Sequence, residues 1–213
     1  MSSLTRIKVV SWDVDGTLYS MPRLRIMIAL LAAKRMTRGW REARDVRVEL
    51  SELQKVRKYI STIRLNGGIL SNLGPLSDRD RITKIERRWY GEAIRRIGVT
   101  QLAMSLIERI ARAGVQQVIA SDFYSDYKIK ALGLEGKFSR IYAGEAMGFV
   151  KPNANMFRII SESLGIDPSH ILHIGDMQER DGVAASGAGF QVAIIGKDNE
   201  FLTQYAEKLS EIN

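Results

Sequence analysis

The chain has 213 residues, enough for one domain or for a domain with a substantial insertion, and its hydrophobic content of 45% is ordinary for a globular protein. The absence of cysteine excludes disulfides, thiolate metal sites and cysteine nucleophiles. The net charge of +8 is concentrated in residues 20–100, where 19 Lys and Arg stand against 8 Asp and Glu, and this excess indicates either an anionic partner or an arginine-rich solvated helical face.

The first predicted element is a short buried strand. An apolar, β-branched run begins near Ile7 and stops at Asp13 and Asp15, which are followed by Gly16 and Thr17. Both carboxylates can point into one crevice from a strand end or a turn, but not from a regular helix. Because ligands bind beyond the carboxyl ends of the strands in an open parallel sheet, this stretch is a candidate site. An ordinary Asp-Gly turn is the alternative interpretation.

Residues 20–99 follow a helical pattern without strands, which predicts a helical module inserted between two parts of another domain. Its most apolar stretch, Leu24 to Ala33, contains Arg25 and is too short to cross a membrane. The segment from Met1 to Lys8 lacks the apolar core of a signal peptide, so we expect a soluble, cytoplasmic protein. Helices are expected at residues 20–39, 41–63 and 78–97, and irregular loops at 66–68 and 72–75.

From residue 100 onwards, helices alternate with short apolar strands. This alternation predicts crossover connections and a parallel sheet covered by helices on both faces. The expected fold class is therefore α/β, with a sheet core in residues 1–19 and 100–213 and an all-α insertion at 20–99. Strands are predicted at 115–120, near 141, at 171–174 and at 191–195, and helices at 100–113, 125–132, 153–164 and from 200 onwards.

Further polar residues follow the later strands or precede a helix. Ser121 and Asp122 come directly after an apolar run, Lys151 precedes a helix, and Asp176 follows a strand with Asp181 five residues later. Taken singly, each has a structural explanation as a cap, a turn residue or a solvated amine. Together they would meet the first acidic pair at one edge of the sheet.

This set of motifs resembles the haloacid dehalogenase superfamily of phosphatases and phosphotransferases over essentially the whole chain. Asp13-Val14-Asp15-Gly16-Thr17 is similar to the first motif of that family, Ser121 to the second, Lys151 to the third, and Gly175-Asp176 with Asp181 to the fourth. The resemblance implies a Rossmann-like core. It also implies that residues 20–99 are a helical cap domain between the first and second motifs.

The resemblance also implies a catalytic role for each matching residue. Asp13 would be the nucleophile that forms an aspartyl-phosphate, and Asp15 would protonate the leaving oxygen and later activate water. Ser121 and Lys151 would grip the phosphoryl oxygens, and the Thr17 hydroxyl would contact the bound anion. The expected substrate is a small phosphorylated metabolite.

The expected cofactor is Mg²⁺, which prefers hard oxygen ligands. By resemblance, the ligands would be Asp13, the backbone carbonyl of Asp15, and Asp176. Asp181 would ligate the metal directly or through a water molecule. Without cations, four carboxylates in one crevice would repel one another and raise some of their pKa values.

Several alternatives remain open at this stage. Asp15 favours phosphoryl transfer, because the dehalogenases of the family lack an aspartate at this position. A phosphomutase or a phosphonatase would use the same scaffold, and a phosphonatase would need a cap lysine for a Schiff base. A non-catalytic protein that binds nucleic acid or another polyanion through the basic segment is less favoured. The cap lysines available are Lys34, Lys55, Lys58 and Lys84, and the polar residues expected beside the substrate are Arg64, Asn66, Arg79 and Arg81.

Overall fold

The computed structural model of the protein describes residues 7–70 and 78–211, and a five-stranded parallel sheet forms its centre. The strand order is β3-β2-β1-β4-β5, so the first strand is central. This arrangement confirms the predicted α/β fold with a parallel sheet. The strands are β1 (Val9–Trp12), β2 (Gln116–Ser121), β3 (Arg140–Ala143), β4 (Ile171–Gly175) and β5 (Gln191–Ile194).

The central strand is buried on both faces. Val10 and Trp12 belong to one buried apolar cluster, which includes residues of the N-terminal helices, while Val9 packs in a second cluster on the other face. Since strand side chains alternate between faces, a strand buried on both sides is a continuous apolar run with few polar positions. Ser11, the polar residue of β1, is itself buried and hydrogen-bonded.

Ten α-helices are found in the described residues, together with shorter helical turns. Residues 168–170 form a 3₁₀ turn before β4. The α-helices are α1 (Met21–Met36), α2 (Trp40–Leu65), α3 (Arg79–Glu86), α4 (Glu92–Ile97), α5 (Gln101–Arg112), α6 (Asp126–Ala131), α7 (Gly144–Met147), α8 (Asn155–Leu164), α9 (Val183–Gly187) and α10 (Asn199–Glu211). Within the described ranges, none of them is long and apolar enough to span a membrane.

Between β1 and α5, residues 21–65 and 79–97 are mainly helical. The helix expected at residues 78–97 is interrupted by a π-helical turn, Arg87–Gly91, between α3 and α4. Trp89 in this turn is fully buried and donates a hydrogen bond from Nε1 to Glu49 on α2 at 2.8 Å. The loop predicted at residues 72–75 lies outside the described residues.

Candidate active site

The carboxyl ends of β1 and β4 carry the first two members of the candidate site. Asp13 follows β1, and its backbone N–H donates to the carbonyl of Ile174 at 2.9 Å, which fixes the first turn of the loop against β4. Thr17 is buried and donates a hydrogen bond to Asp13 Oδ2 at 3.1 Å. Asp176 begins the loop after β4. Parallel pairing of neighbouring strands therefore places segments distant in sequence at one edge.

Lys151 lies at the centre of this edge. Its side chain is 3% exposed, and Nζ contacts Asp13 Oδ1 at 2.5 Å and Asp181 Oδ1 at 2.6 Å. It also donates to the carbonyl of Ala120 at 3.3 Å. Burial alone would lower the pKa of Lys151, but the surrounding carboxylates raise it above its usual range, so the amine is an ammonium ion. One buried cation thus neutralises part of the acidic charge.

Three carboxylates meet beside this lysine. Asp13, Asp176 and Asp181 each offer an oxygen, and these oxygens all lie within 4.8 Å of one another. Burial raises the pKa of Asp13 to about 7 and that of Asp176 to about 6. Burial would also raise the pKa of Asp181, but the charge of Lys151 and a hydrogen bond from His173 hold it well below its usual range. The cluster therefore has more negative charge than the lysine balances.

Two observations fit a divalent cation among these oxygens. Asp176 Oδ1 is buried without a hydrogen-bond partner within the described residues, and the Arg180 guanidinium lies 3.5 Å from it. Gly16 has a φ of +98°, and a Cβ at that position would overlap Oδ2 of Asp176. Glycine therefore leaves room for the Asp176 carboxylate. Hard carboxylate oxygens suit Mg²⁺.

His173 is a polar residue that the sequence reasoning treated as structural. It is fully buried on β4, its Nε2 lies 3.3 Å from Asp181 Oδ1, and its Nδ1 lies 2.8 Å from Ser11 Oγ. Burial lowers the pKa of His173, which favours the neutral ring. A neutral ring that donates to Asp181 accepts from Ser11, so the hydrogen-bonded chain fixes the orientation of the Asp181 carboxylate.

Asp15 has different partners from the three clustered carboxylates. Its two oxygens accept hydrogen bonds from Lys128 Nζ at 2.7 and 2.6 Å, and Tyr19 OH donates to one of them. Desolvation would raise the pKa of Asp15, but the charge and hydrogen bonds of Lys128 outweigh it and lower the pKa. Lys128 was missed from the sequence, because one lysine in a short amphipathic helix resembles a solvated one.

Ser121 is the last residue of β2 and Asp122 follows it, and both are buried. Asp122 accepts the backbone N–H of Lys151 through Oδ1 at 2.8 Å and the Arg64 guanidinium through Oδ2 at 2.5 Å. Arg64 comes from α2, so this carboxylate joins the helical segment to the lysine loop. Asp122 therefore holds the backbone of Lys151 in place and ties it to α2 through Arg64.

The end of α2 and the start of α3 contact the sheet edge at further points. Arg79 Nη2 lies 2.8 Å from Glu145 Oε1, and the Val150 N–H donates to the Gly68 carbonyl at 2.8 Å. Gly68 has a φ of +71°, and a Cβ there would overlap the Val150 carbonyl. The helical segment consequently lies over the acidic edge. Arg64 and Arg79, expected beside the substrate, are both paired with carboxylates of the sheet domain.

The family described as haloacid dehalogenase-like hydrolase matches residues 7–189. No curated protein sequence matches the chain significantly.

Solved structures with the same fold include several hydrolases. An L-2-haloacid dehalogenase from Xanthobacter autotrophicus is 20% identical with a TM-score of 0.59, covering 90% of this chain and 78% of that one. A HAD phosphatase from Thermococcus onnurineus is 20% identical with a TM-score of 0.61, covering 90% and 87%. The HAD-hydrolase YfnB from Bacillus subtilis, bound to magnesium, is 18% identical with a TM-score of 0.63, covering 91% and 90%.

Proposed function

We propose that this chain, which belongs to the haloacid dehalogenase-like hydrolases, is a Mg²⁺-dependent phosphomonoester hydrolase acting on a small phosphorylated metabolite. The observation that carries the proposal is the contact of Lys151 Nζ with both Asp13 and Asp181, beside a third carboxylate. A buried ammonium among carboxylates suits a site in which a carboxylate attacks an anionic phosphoryl group, because the cation reduces the repulsion between them.

In the first step, an Asp13 oxygen attacks phosphorus, and the bond from phosphorus to the leaving oxygen breaks. In its protonated form, which Lys128 makes the minor form by lowering the pKa of Asp15, Asp15 donates a proton to that oxygen, which departs as an alcohol. In the second step, Asp15 removes a proton from water, the water oxygen attacks phosphorus, and the acyl-phosphate bond breaks to release Asp13 and inorganic phosphate. Dividing the reaction in this way makes use of a weak carboxylate nucleophile. Lys151 and Ser121 hold the phosphoryl oxygens, and Thr17 orients Asp13 through its hydrogen bond.

Asp13, Asp176 and Asp181 would hold Mg²⁺, together with the backbone carbonyl of Asp15. When bound, Mg²⁺ supplies charge stabilisation for the phosphoryl oxygens. The structural support is the unpaired Asp176 oxygen and the surplus of buried carboxylate over ammonium charge. His173 would keep Asp181 oriented in this set.

The helical segment of residues 20–99 would act as a cap domain on a core formed by residues 1–19 and 100–213. Arg64 and Arg79 on this segment reach Asp122 and Glu145 of the sheet domain, which supports a closed arrangement over the site. Closure would exclude bulk water during the first step.

Two alternatives have less support. A phosphonatase needs a desolvated lysine on the cap, but Lys34, Lys55, Lys58 and Lys84 are all exposed. A dehalogenase would share the fold, as the Xanthobacter neighbour does, and its nucleophile would attack the carbon of a carbon–halogen bond in a haloacid rather than a phosphoryl group. The buried ammonium among carboxylates favours the phosphate ester.

The test is hydrolysis of an aryl phosphate, measured as released phosphate with Mg²⁺ and again with EDTA. We expect turnover with Mg²⁺, its loss in EDTA, and its loss in Asp13→Asn, with Asp45→Asn on exposed helix surface as the matched control. Phosphate release by Asp13→Asn at the wild-type rate would refute the proposal. Chloride release from a 2-chloro acid, without phosphate release from any ester, would assign the chain to the dehalogenases instead.

A further inference from the structure

The outward face of α1 is apolar. Ile26, Ala29, Leu30 and Ala33 are exposed at positions i, i+3, i+4 and i+7, so they form one line along the helix, here called the α1 stripe. Ile26 is 61% exposed and Leu30 is 59% exposed. The opposite face of the same helix is also apolar and packs in the core through Leu24. A helix that is apolar on all sides is normally buried, so the exposed α1 stripe indicates a partner.

Exposed apolar side chains are concentrated around this helix. Ten large hydrophobic side chains are exposed in the described part of the chain, and four of them lie within residues 26–40: Ile26, Leu30, Met36 and Trp40. Trp40 is 70% exposed and begins α2, directly after the turn that follows α1. Single exposed apolar residues are common on protein surfaces, but a group of them in one place indicates an interaction site.

The stretch that forms this surface carries only positive charge. Residues 20–41 contain six Lys and Arg and no Asp or Glu. At 3.6 residues per turn, Arg25 lies on one flank of the α1 stripe, and Arg23 and Lys34 lie on the other. All three are exposed, and within the described ranges none of them forms an ion pair. The surface is therefore an apolar stripe between two rows of unpaired cations.

A matching partner is both apolar and anionic. A second copy of the chain would place the same cations opposite one another across a symmetric interface, with no carboxylate in residues 20–41 to compensate them. A nucleic acid matches the charge, but aliphatic side chains such as Ile26 and Leu30 do not stack on bases as aromatic rings do. The surface of an anionic lipid bilayer offers phosphate groups and acyl chains together.

We propose that α1 and the turn to Trp40 dock peripherally on an anionic lipid bilayer. The α1 stripe lies level with the outer acyl chains, and the flanking cations contact the lipid phosphates. The Trp40 ring, with the guanidinium groups of Arg41 and Arg44 at 5.4 and 5.8 Å from its centre, suits the bilayer interface, where tryptophan is enriched. This docking needs no membrane span and does not depend on the proposed function.

The experiment measures co-sedimentation of the full chain with vesicles of phosphatidylcholine alone and of equimolar phosphatidylcholine and phosphatidylglycerol. We expect binding to the anionic vesicles only, weakened by added salt. Tryptophan fluorescence gives a second measurement, because Trp12 and Trp89 are fully buried and Trp40 is exposed. On anionic vesicles we expect a blue shift and protection from acrylamide quenching, and both should disappear in Trp40→Phe.

Three variants test the stripe and its flanks. Leu30→Gln should weaken vesicle binding about tenfold or more, because it removes the burial of one leucine side chain. Arg23→Gln and Arg25→Gln should each weaken it about fivefold, the factor that one cation contributes at an anionic surface. Leu65→Gln, at a residue 87% exposed at the other end of α2, and Lys197→Gln, on exposed surface, are the matched controls and should bind as the wild type does. Thermal unfolding should be unchanged in all five, since every replaced side chain is exposed.

Failure of the wild type to bind anionic vesicles would overturn the inference, and so would equal binding to both kinds of vesicle. Wild-type vesicle binding by Leu30→Gln would overturn the role of the α1 stripe. Binding of a single-stranded oligonucleotide that Trp40→Ala abolishes, without vesicle binding, would assign the surface to nucleic acid instead. A dimer that Leu30→Gln dissociates, again without vesicle binding, would assign it to a second copy of the chain.

Discussion

Replacing Lys151 by Met tests how strongly the acidic edge depends on the buried ammonium that contacts Asp13 and Asp181. The lysine side chain is 3% exposed, and those of its partners Asp13 and Asp181 are 9% and 1% exposed. Removing one partner of a buried ion pair costs about 3–5 kcal/mol, because the remaining charges stay desolvated. For a domain of this size, 1 kcal/mol changes the Tm by roughly 2–4 °C. We therefore expect the Tm of Lys151→Met in EDTA to fall by roughly 6–20 °C.

The assay is urea and thermal unfolding followed by tryptophan fluorescence, in EDTA and in Mg²⁺. Mg²⁺ should stabilise Lys151→Met by more than it stabilises the wild type, because Asp13 and Asp181 then lose the ammonium that pairs with both of them. Lys197→Met removes an exposed lysine and should change the free energy of unfolding by less than about 0.5 kcal/mol. A Lys151→Met free energy of unfolding within 1 kcal/mol of wild type in EDTA would refute the reasoning.

Three other substitutions test the structure. Gly16→Ala places a Cβ against the Asp176 carboxylate, at a residue whose φ is positive. We therefore expect titration calorimetry to detect no Mg²⁺ binding by this variant. Mg²⁺ binding with wild-type affinity would contradict the prediction. His173→Leu removes the hydrogen-bond donor to Asp181 and should weaken Mg²⁺ affinity about 10- to 100-fold in the same assay. Unchanged affinity would give His173 a purely structural role. Trp89→Ala should cost about 3–5 kcal/mol in urea unfolding, whereas Trp40→Ala, at a residue 70% exposed, should cost far less.

Much of the sheet was predictable from sequence, because its signal is local. β1 and β4 are apolar runs that contain β-branched residues. As predicted, an acidic residue directly follows each of them, Asp13 after β1 and Asp176 after β4. The helix predicted at 78–97 is present, but its π-helical turn, which buries Trp89 against α2, was not predicted. That packing depends on a helix distant in sequence, which periodicity cannot report.

The candidate site was predictable only in part. Acidic residues at strand ends indicated Asp13, Asp176 and Asp181, which the structure brings within reach of one another. The partner of Asp15 was not predictable, because the burial of Lys128 depends on the helical segment lying against α6. The contact of His173 with Asp181 was not predictable either, since a histidine on an apolar strand gives no indication of which side chain faces it.

The central position of β1 has a consequence for how the chain is made. Val9 pairs with Gln116 on one side and with Ile171 on the other, so this strand leaves the ribosome long before either neighbour exists. Until then its apolar side chains have no sheet to join, and its pairing has a high contact order, which slows folding. The strand that leads into Asp13 is thus synthesised early and completed late, and nascent chains halted before residue 171 would lack one edge of its hydrogen bonding.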